Sequence, residues 1–232
     1  MNDSYDFCIL ITTYDRGNML YDLINQIEKQ KNNSKILIVI FDDGSPQNYQ
    51  FDNQNIKYVK FFPNQGKKKY WKIVNVMFNY VRNINANYFI QLPDDIQLVD
   101  NFFGIVVNEY EKIQDPSKIC LNILSDSRIY RHNWTNFNPI DMGDYVKTQW
   151  NDMCYVSTKE FFKELNYSID EVSMSRWSKN PNISSGVGQQ ISIKLHNKKK
   201  SMYHTKRSLV IHGDHDSKMN YHERHNTPII TL

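Results

Sequence analysis

The 232-residue chain predicts a single α/β domain built on a mixed, mainly parallel central sheet with helices on both faces. Three observations carry that expectation. Residues 7–13 and 36–41 are nearly continuous apolar runs that stop abruptly at polar turns, Tyr14-Asp15-Arg16-Gly17-Asn18 and Asp42-Asp43-Gly44-Ser45. A strand covered on both faces reads this way, because neither side of its pleat meets water. Between the runs, Leu20, Leu23, Ile24 and Ile27 recur at helical spacing, and a strand, helix, strand order of this length implies a right-handed parallel unit.

The rhythm continues through residue 95. Residues 56–61 form a third short strand, ended by Phe62-Pro63-Asn64-Gln65-Gly66. Ile73, Val74, Met77, Phe78 and Val81 define a helix over 71–81, and 88–92 is a fourth strand that breaks at Pro93-Asp94-Asp95. Beyond it, 102–113 reads as helix, 119–124 as strand, 153–157 and 159–165 as strand and helix, 185–197 as a glycine-led helix, and 208–212 as a last short strand. Residues 125–149 are polar and aromatic with little periodicity, and a loop of that length is more often functional than idle. The second half therefore reads as a mixed extension of the same sheet.

Composition narrows the class. With 40% hydrophobic residues the chain can bury a sizeable core, and no stretch approaches the roughly 20 apolar residues that cross a bilayer. Asp3 and Asp6 before a short apolar run do not make a signal peptide, so the expectation is a soluble cytoplasmic protein, or one peripheral to a membrane. Cys8, Cys120 and Cys154 lie far apart, two of them in apolar runs, which suggests reduced core thiols. A net charge of +3 is small for a nucleic-acid binder, and Lys67-Lys68-Lys69 and Lys198-Lys199-Lys200 read first as solvated runs.

Acids placed just beyond parallel strands are ligand candidates, since binding crevices lie there. For Asp43 and Ser45 the competing reading is a helix N-cap. Taken together, ILITTYDRGNMLYDLINQI, KILIVIFDDGS, the Asn64-x-Gly66 turn and YFIQLPDDIQL resemble the GT-A (Rossmann-like) glycosyltransferases of family 2 in motif order and spacing. The resemblance covers residues 7–100 well and continues loosely to about 215. It implies one GT-A domain over 1–232, with a nucleotide-sugar-binding half at 1–100 and an acceptor-binding half at 101–232. The implied activity is inverting, metal-dependent transfer of a sugar, from a UDP-linked donor, to a carbohydrate or glycoconjugate hydroxyl, as in polysaccharide biosynthesis.

By that resemblance Thr12, Thr13, Tyr14 and Arg16 match the segment that holds the nucleoside, and Asp42, with Asp43 beside it, matches the acid that reads the base. A carboxylate accepting the uracil N3–H is a sensible reader. Gly66 permits close backbone approach, and Lys67 and Lys72 lie where a cation could meet the donor. Asp94 and Asp95 match the D-x-D region that carries Mn²⁺ or Mg²⁺ between protein and diphosphate, although Leu92 or Pro93 stands where the motif has its first Asp. His212 matches a late histidine placed beside the metal, and Lys218 and Arg224 are further phosphate or sugar contacts. A zinc site from the His-x-x-His spacings among His212, His215, His222 and His225 is the rival there.

The family's catalytic base is a carboxylate ahead of a periodic helix, but the matching stretch, residues 185–195, has none. Asp152 is the first substitute, followed by Asp170, Asp141 and Asp144. Tyr130, Trp134, Phe137, Tyr145 and Trp150 could stack on an acceptor sugar, with core packing as the competitor for two of them. Two other classes stay open: a nucleotidyltransferase, for which TTYDRGN is a poor signature loop, and a sugar- or nucleic-acid-binding module that lost its base. No oligomeric state is implied.

Overall fold

The computed structural model describes residues 4–125 and 138–212. Among these residues, nine strands form the main sheet, in the order β3-β2-β1-β4-β9-β6-β10-β8-β7. Its first half is β1 (Ser4–Thr13), α1 (Gly17–Gln30), β2 (Ile36–Asp42), β3 (Ile56–Lys60), α2 (Gly66–Val81) and β4 (Asn85–Pro93). β1 pairs in parallel with both β2 and β4, and β2 in parallel with β3. The chain thus steps outward to β3 and returns on the other side of β1, which makes the gap beyond the carboxyl ends of β1 and β4 the topological switch point.

The apolar runs form strands because both faces are covered. Ile9 and Ile11 face one core cluster with α1 and α3 (Phe102–Lys112), while Cys8 and Leu10 face the other with α2, α4 (Lys159–Glu164) and α5 (Val187–Asn197). Each such fully buried aliphatic side chain contributes about 1.5–3 kcal/mol. The mixed, mainly parallel sheet with helices on both faces that the sequence implies is therefore present. Cys8, Cys120 and Cys154 are buried free thiols, as expected.

The second half extends the sheet with β6 (Lys118–Asn122), β7 (Ile140–Asp141), β8 (Tyr145–Thr148), β9 (Tyr155–Ser157) and β10 (Ser201–Thr205). β9 lies antiparallel between β4 and β6, and β10 parallel to β6. Several short elements depart from the sequence expectation. β7 and β8 fall inside the segment read as irregular, β5 (Ile96–Leu98) and β10 are additional to it, and the last strand, β11 (Val210–His212), leaves the main sheet to pair with β5. That two-stranded ribbon carries the chain back over the end of β4. No helix among the described residues is long and apolar enough to cross a membrane.

Candidate active site

The ends of β1, β2 and β4 lie side by side, and each ends in a polar turn. The first two are tied together: the Asp43 backbone N–H donates to the Thr13 carbonyl at 2.9 Å, and the Asp15 N–H to Ser45 Oγ at 2.8 Å. Tyr70 from α2 donates to Thr12 Oγ1 at 3.2 Å, closing the third side. Tyr14 sits half-buried in the same loop. Residues 12–16 and 42–45 thus form one rigid rim.

Asp42 has no exposed surface. One oxygen accepts from Ser45 N at 2.9 Å and Ser45 Oγ at 2.6 Å, and the other accepts from the Tyr58 hydroxyl. A base reaches Asp42 only where Tyr58 gives up its hydrogen bond. Asp43 is also buried, and it settles the capping question in an unexpected way. Its carboxylate accepts from Gln65 N at 2.7 Å and Gly66 N at 2.8 Å, so it caps α2, 22 and 23 residues downstream. Gly66, at φ +61°, supplies the left-handed turn that aims this N–H at Asp43. Burial holds the Asp43 carboxyl above its ordinary value, with the two N–H donors pulling the other way.

The second acidic pair has different partners. Asp94 and Asp95 are each 4% exposed at the switch point. Thr13 donates to Asp94 Oδ2 at 2.7 Å, and Arg16 Nη1 donates to Asp94 Oδ1 at 3.2 Å and also to Asp95 Oδ2. The β5–β11 ribbon brings His212 Nε2 to 3.3 Å from that same Asp95 oxygen. Burial pushes the Asp94 carboxyl up to about 6; the Thr13 hydrogen bond and Arg16 oppose the rise, and the Asp95 charge adds to it. Burial also works against the Arg16 charge, but Asp95 and Asp94 outweigh it and hold the guanidinium above its usual value.

As donors, two carboxylates and an imidazole suit Mn²⁺ or Mg²⁺. Among the described residues, however, no group of three or more His, Cys, Asp or Glu side chains could hold a metal ion as it stands. The fit is to the mode in which one or two carboxylates share the ion with substrate phosphates.

The remaining sequence-expected residues scatter. Lys67, at the start of α2, donates to the Pro181 carbonyl at 3.3 Å; burial, then the charges of Lys68 and Arg176, hold its ammonium below the usual value. Lys72 is exposed, with its ammonium over the Trp71 ring. Asp170 is an exposed acid paired with Lys194 at 3.0 Å, and Asp141 is exposed and paired with Lys206. Lys218, Arg224, Tyr130, Trp134, Phe137 and the histidines after His212 lie outside the described residues.

Asp152 is placed differently from the other substitutes. It is half-buried in the loop between β8 and β9, its carboxylate accepting from Cys154 N at 2.9 Å, and it is followed by Met153 at φ +67°. Left-handed backbone at a non-glycine residue is strained, and such strain concentrates at functional turns. Burial first, then the charges of Asp152 and Asp95, push the Cys154 thiol well up. The same loop is pressed onto α5. A Cβ at Gly188 would meet the Asn151 carbonyl oxygen at 2.3 Å, and Asn151 N donates to Ser192 Oγ at 2.9 Å. No side chain fits at 188, which accounts for the glycine there. Tyr58, Tyr70 and Ser192 escaped sequence reasoning because each acts through a partner distant in the chain.

No protein-family model matches the sequence, and no curated protein sequence matches it. Solved structures do resemble the fold. A mycobacterial protein superimposes with a TM-score of 0.54 at 9% identity, over 91% of this chain and 68% of that one. TarS of S. aureus gives 0.51 at 14% identity, over 86% of this chain and 36% of TarS. The mannosyltransferase PcManGT from Pyrobaculum calidifontis, solved with GDP-Man and Mn²⁺, gives 0.47 at 12% identity, over 73% of this chain and 48% of that one. The chain thus spans about half the length of PcManGT and about a third of TarS. At these identities the likeness is one of fold alone: the chain shares the GT-A-like α/β architecture, a mixed, mainly parallel sheet with helices on both faces.

Proposed function

We propose that this chain is a family 2-type, inverting glycosyltransferase that moves a sugar from a nucleotide-linked donor, UDP-linked by the Asp42 reading, to a carbohydrate or glycoconjugate hydroxyl. One observation carries the reading: a buried, charge-compensated Asp94–Asp95 pair at the switch point of a GT-A-like sheet, flanked by Thr13, Arg16 and His212. Asp94 and Asp95 would hold Mn²⁺ or Mg²⁺, with His212 beside it. When bound, such an ion neutralises charge on the departing nucleoside diphosphate.

The chain's own residues supply the rest. The 12–16 rim, fixed to the 42–45 turn, seats the nucleoside, and Asp42 accepts the uracil imide N–H in place of the Tyr58 hydroxyl. Lys67 and Arg176, close enough for their charges to interact, offer cations at the start of α2. Asp152 takes the proton of the acceptor hydroxyl as that oxygen bonds to the anomeric carbon, and the carbon–oxygen bond to the diphosphate breaks with its electron pair leaving on phosphate. The position of Asp152 supports this role, because its loop packs directly against the start of α5 through Asn151. Trp150 packs over the same helix start, 3.8 Å from where a Gly188 Cβ would stand, as an aromatic wall for the acceptor.

A second reading, a sugar-binding module without catalysis, draws on the absence of a carboxylate from residues 185–195. Calorimetric titration of UDP with Mn²⁺ tests the donor site. Binding by the wild type that falls about 100-fold in Asp94→Ala is expected, and equal binding by both proteins, or none by either, would contradict it. Metal-dependent donor hydrolysis, lost in Asp152→Asn with UDP binding kept, separates the enzyme from the module.

A further inference from the structure

We infer that Arg16 is the resident counter-cation of Asp94 and Asp95, and that a divalent ion enters between these carboxylates only by displacing it, once a phosphate-bearing ligand offers the guanidinium another partner. The inference deepens the donor-site reading; its nucleotide-free arm is independent of that reading.

The geometry is specific. A single guanidinium nitrogen, Nη1, donates to Asp94 Oδ1 and to Asp95 Oδ2, so positive charge already sits between the two acids. The other Asp94 oxygen is held by the Thr13 hydroxyl, which keeps that carboxylate from turning toward a different partner. Asp95 Oδ2 meets both Arg16 and His212 Nε2, so an ion taking that oxygen meets a cation and an imidazole at once. The side chains of Arg16, Asp94 and Asp95 are only 9%, 6% and 2% exposed, so water screens little of the repulsion between an incoming ion and the guanidinium.

Arg16 is suited to being moved. It stands just before α1, with its charge at the end of a long, rotatable side chain, and a guanidinium matches phosphate oxygens as well as it matches carboxylates. A diphosphate arriving at the rim supplies further oxygen ligands for the ion and an acceptor that Arg16 can take in exchange for Asp94 and Asp95. Metal and nucleotide then bind as a unit. The residue that the sequence assigns to the nucleoside would instead control when the ion can bind.

Titration of Mn²⁺, followed by loss of the free-ion electron paramagnetic resonance signal, tests this on wild type, Arg16→Ala and Arg16→Gln, each with and without UDP. Without UDP, the Arg16 variants should bind Mn²⁺ about tenfold or more tightly than wild type, and the wild type should gain a comparable factor when UDP is added. Because Arg16→Ala leaves two buried carboxylates facing each other, Arg16→Gln, which can still donate to them, carries the test if the alanine variant does not fold. In either variant, Mn²⁺ should raise the melting temperature more than it does in wild type. Variants that fold but bind Mn²⁺ no tighter than wild type, Mn²⁺ binding by none of the proteins, or tight binding by wild type without UDP would each overturn the inference. If UDP and Mn²⁺ together do not bind the wild type while the Arg16 variants still gain the ion, the donor reading fails and the counter-cation role stands.

Discussion

Two Asp-Asp pairs follow the parallel strands β2 and β4 on either side of β1, and their partners differ in kind. Asp42 and Asp43 are satisfied by neutral donors: Ser45, the Tyr58 hydroxyl and the backbone N–H groups of Gln65 and Gly66. Asp94 and Asp95 are balanced by a cation, Arg16, with an imidazole at the edge. The backbone donors on Asp43 are fixed in the chain, so that acid starts α2, while Asp42 ties the rim together through Ser45. A cation on a long, rotatable side chain can be exchanged for an incoming one, which is the exchange inferred for the second pair. Identical dipeptides at one sheet edge are thus told apart by their partners and not by their sequence.

The largest effect should come from exchanging the two pairs as targets. Asp43→Ala strips both acceptors from the start of α2 and should cost about 2–4 kcal/mol in urea unfolding, because buried N–H groups lose their partners. Asp94→Ala should leave stability nearly unchanged or raised, since it removes a buried carboxylate crowded by Asp95, while UDP–Mn²⁺ binding collapses. Equal destabilisation by both substitutions would break the comparison.

A smaller effect should appear with pH. Burial raises the Asp94 pKa from 3.8 to about 6, so the folded protein holds that proton more tightly than the unfolded chain does. The stability this contributes is complete below the unfolded value and is lost as pH rises through about 6. Between about pH 7 and 5 the wild type should therefore gain about 1 kcal/mol from Asp94, with Asp43 shifted in the same direction. Asp94→Asn should flatten most of that slope. Over the same range Mn²⁺ binding should weaken, since protons and metal compete for Asp94. A slope unchanged by Asp94→Asn would place the titrating group elsewhere.

The sequence made the strands around the site legible because burial on both faces leaves an unbroken apolar run, as in β1 and β2. Periodicity was less informative wherever partners are distant. α2 begins at Gly66, five residues before the expected start, because its first turn is a lysine run without an apolar face and its cap arrives from Asp43. β10 escaped notice because Ser201, His204 and Thr205 are polar yet buried, satisfied or covered by neighbouring strands that no local window contains. Both acidic pairs could be located from the turns that hold them. Their division of labour could not, since it depends on Tyr58 from β3 and on Arg16, 78 residues from Asp94. The absence of a carboxylate at 185–195 is visible in the sequence, but the reason for glycine at 188, the Asn151 carbonyl pressed against it, is a tertiary contact.

The most direct test of this division is a crystal structure of the protein soaked with UDP and Mn²⁺, with the ion placed by its anomalous signal. The account predicts Mn²⁺ against Asp94 and the diphosphate, Arg16 swung onto phosphate, and Asp43 still capping α2. Nucleotide and ion bound elsewhere, or Arg16 still bridging Asp94 and Asp95 beside a bound ion, would contradict it.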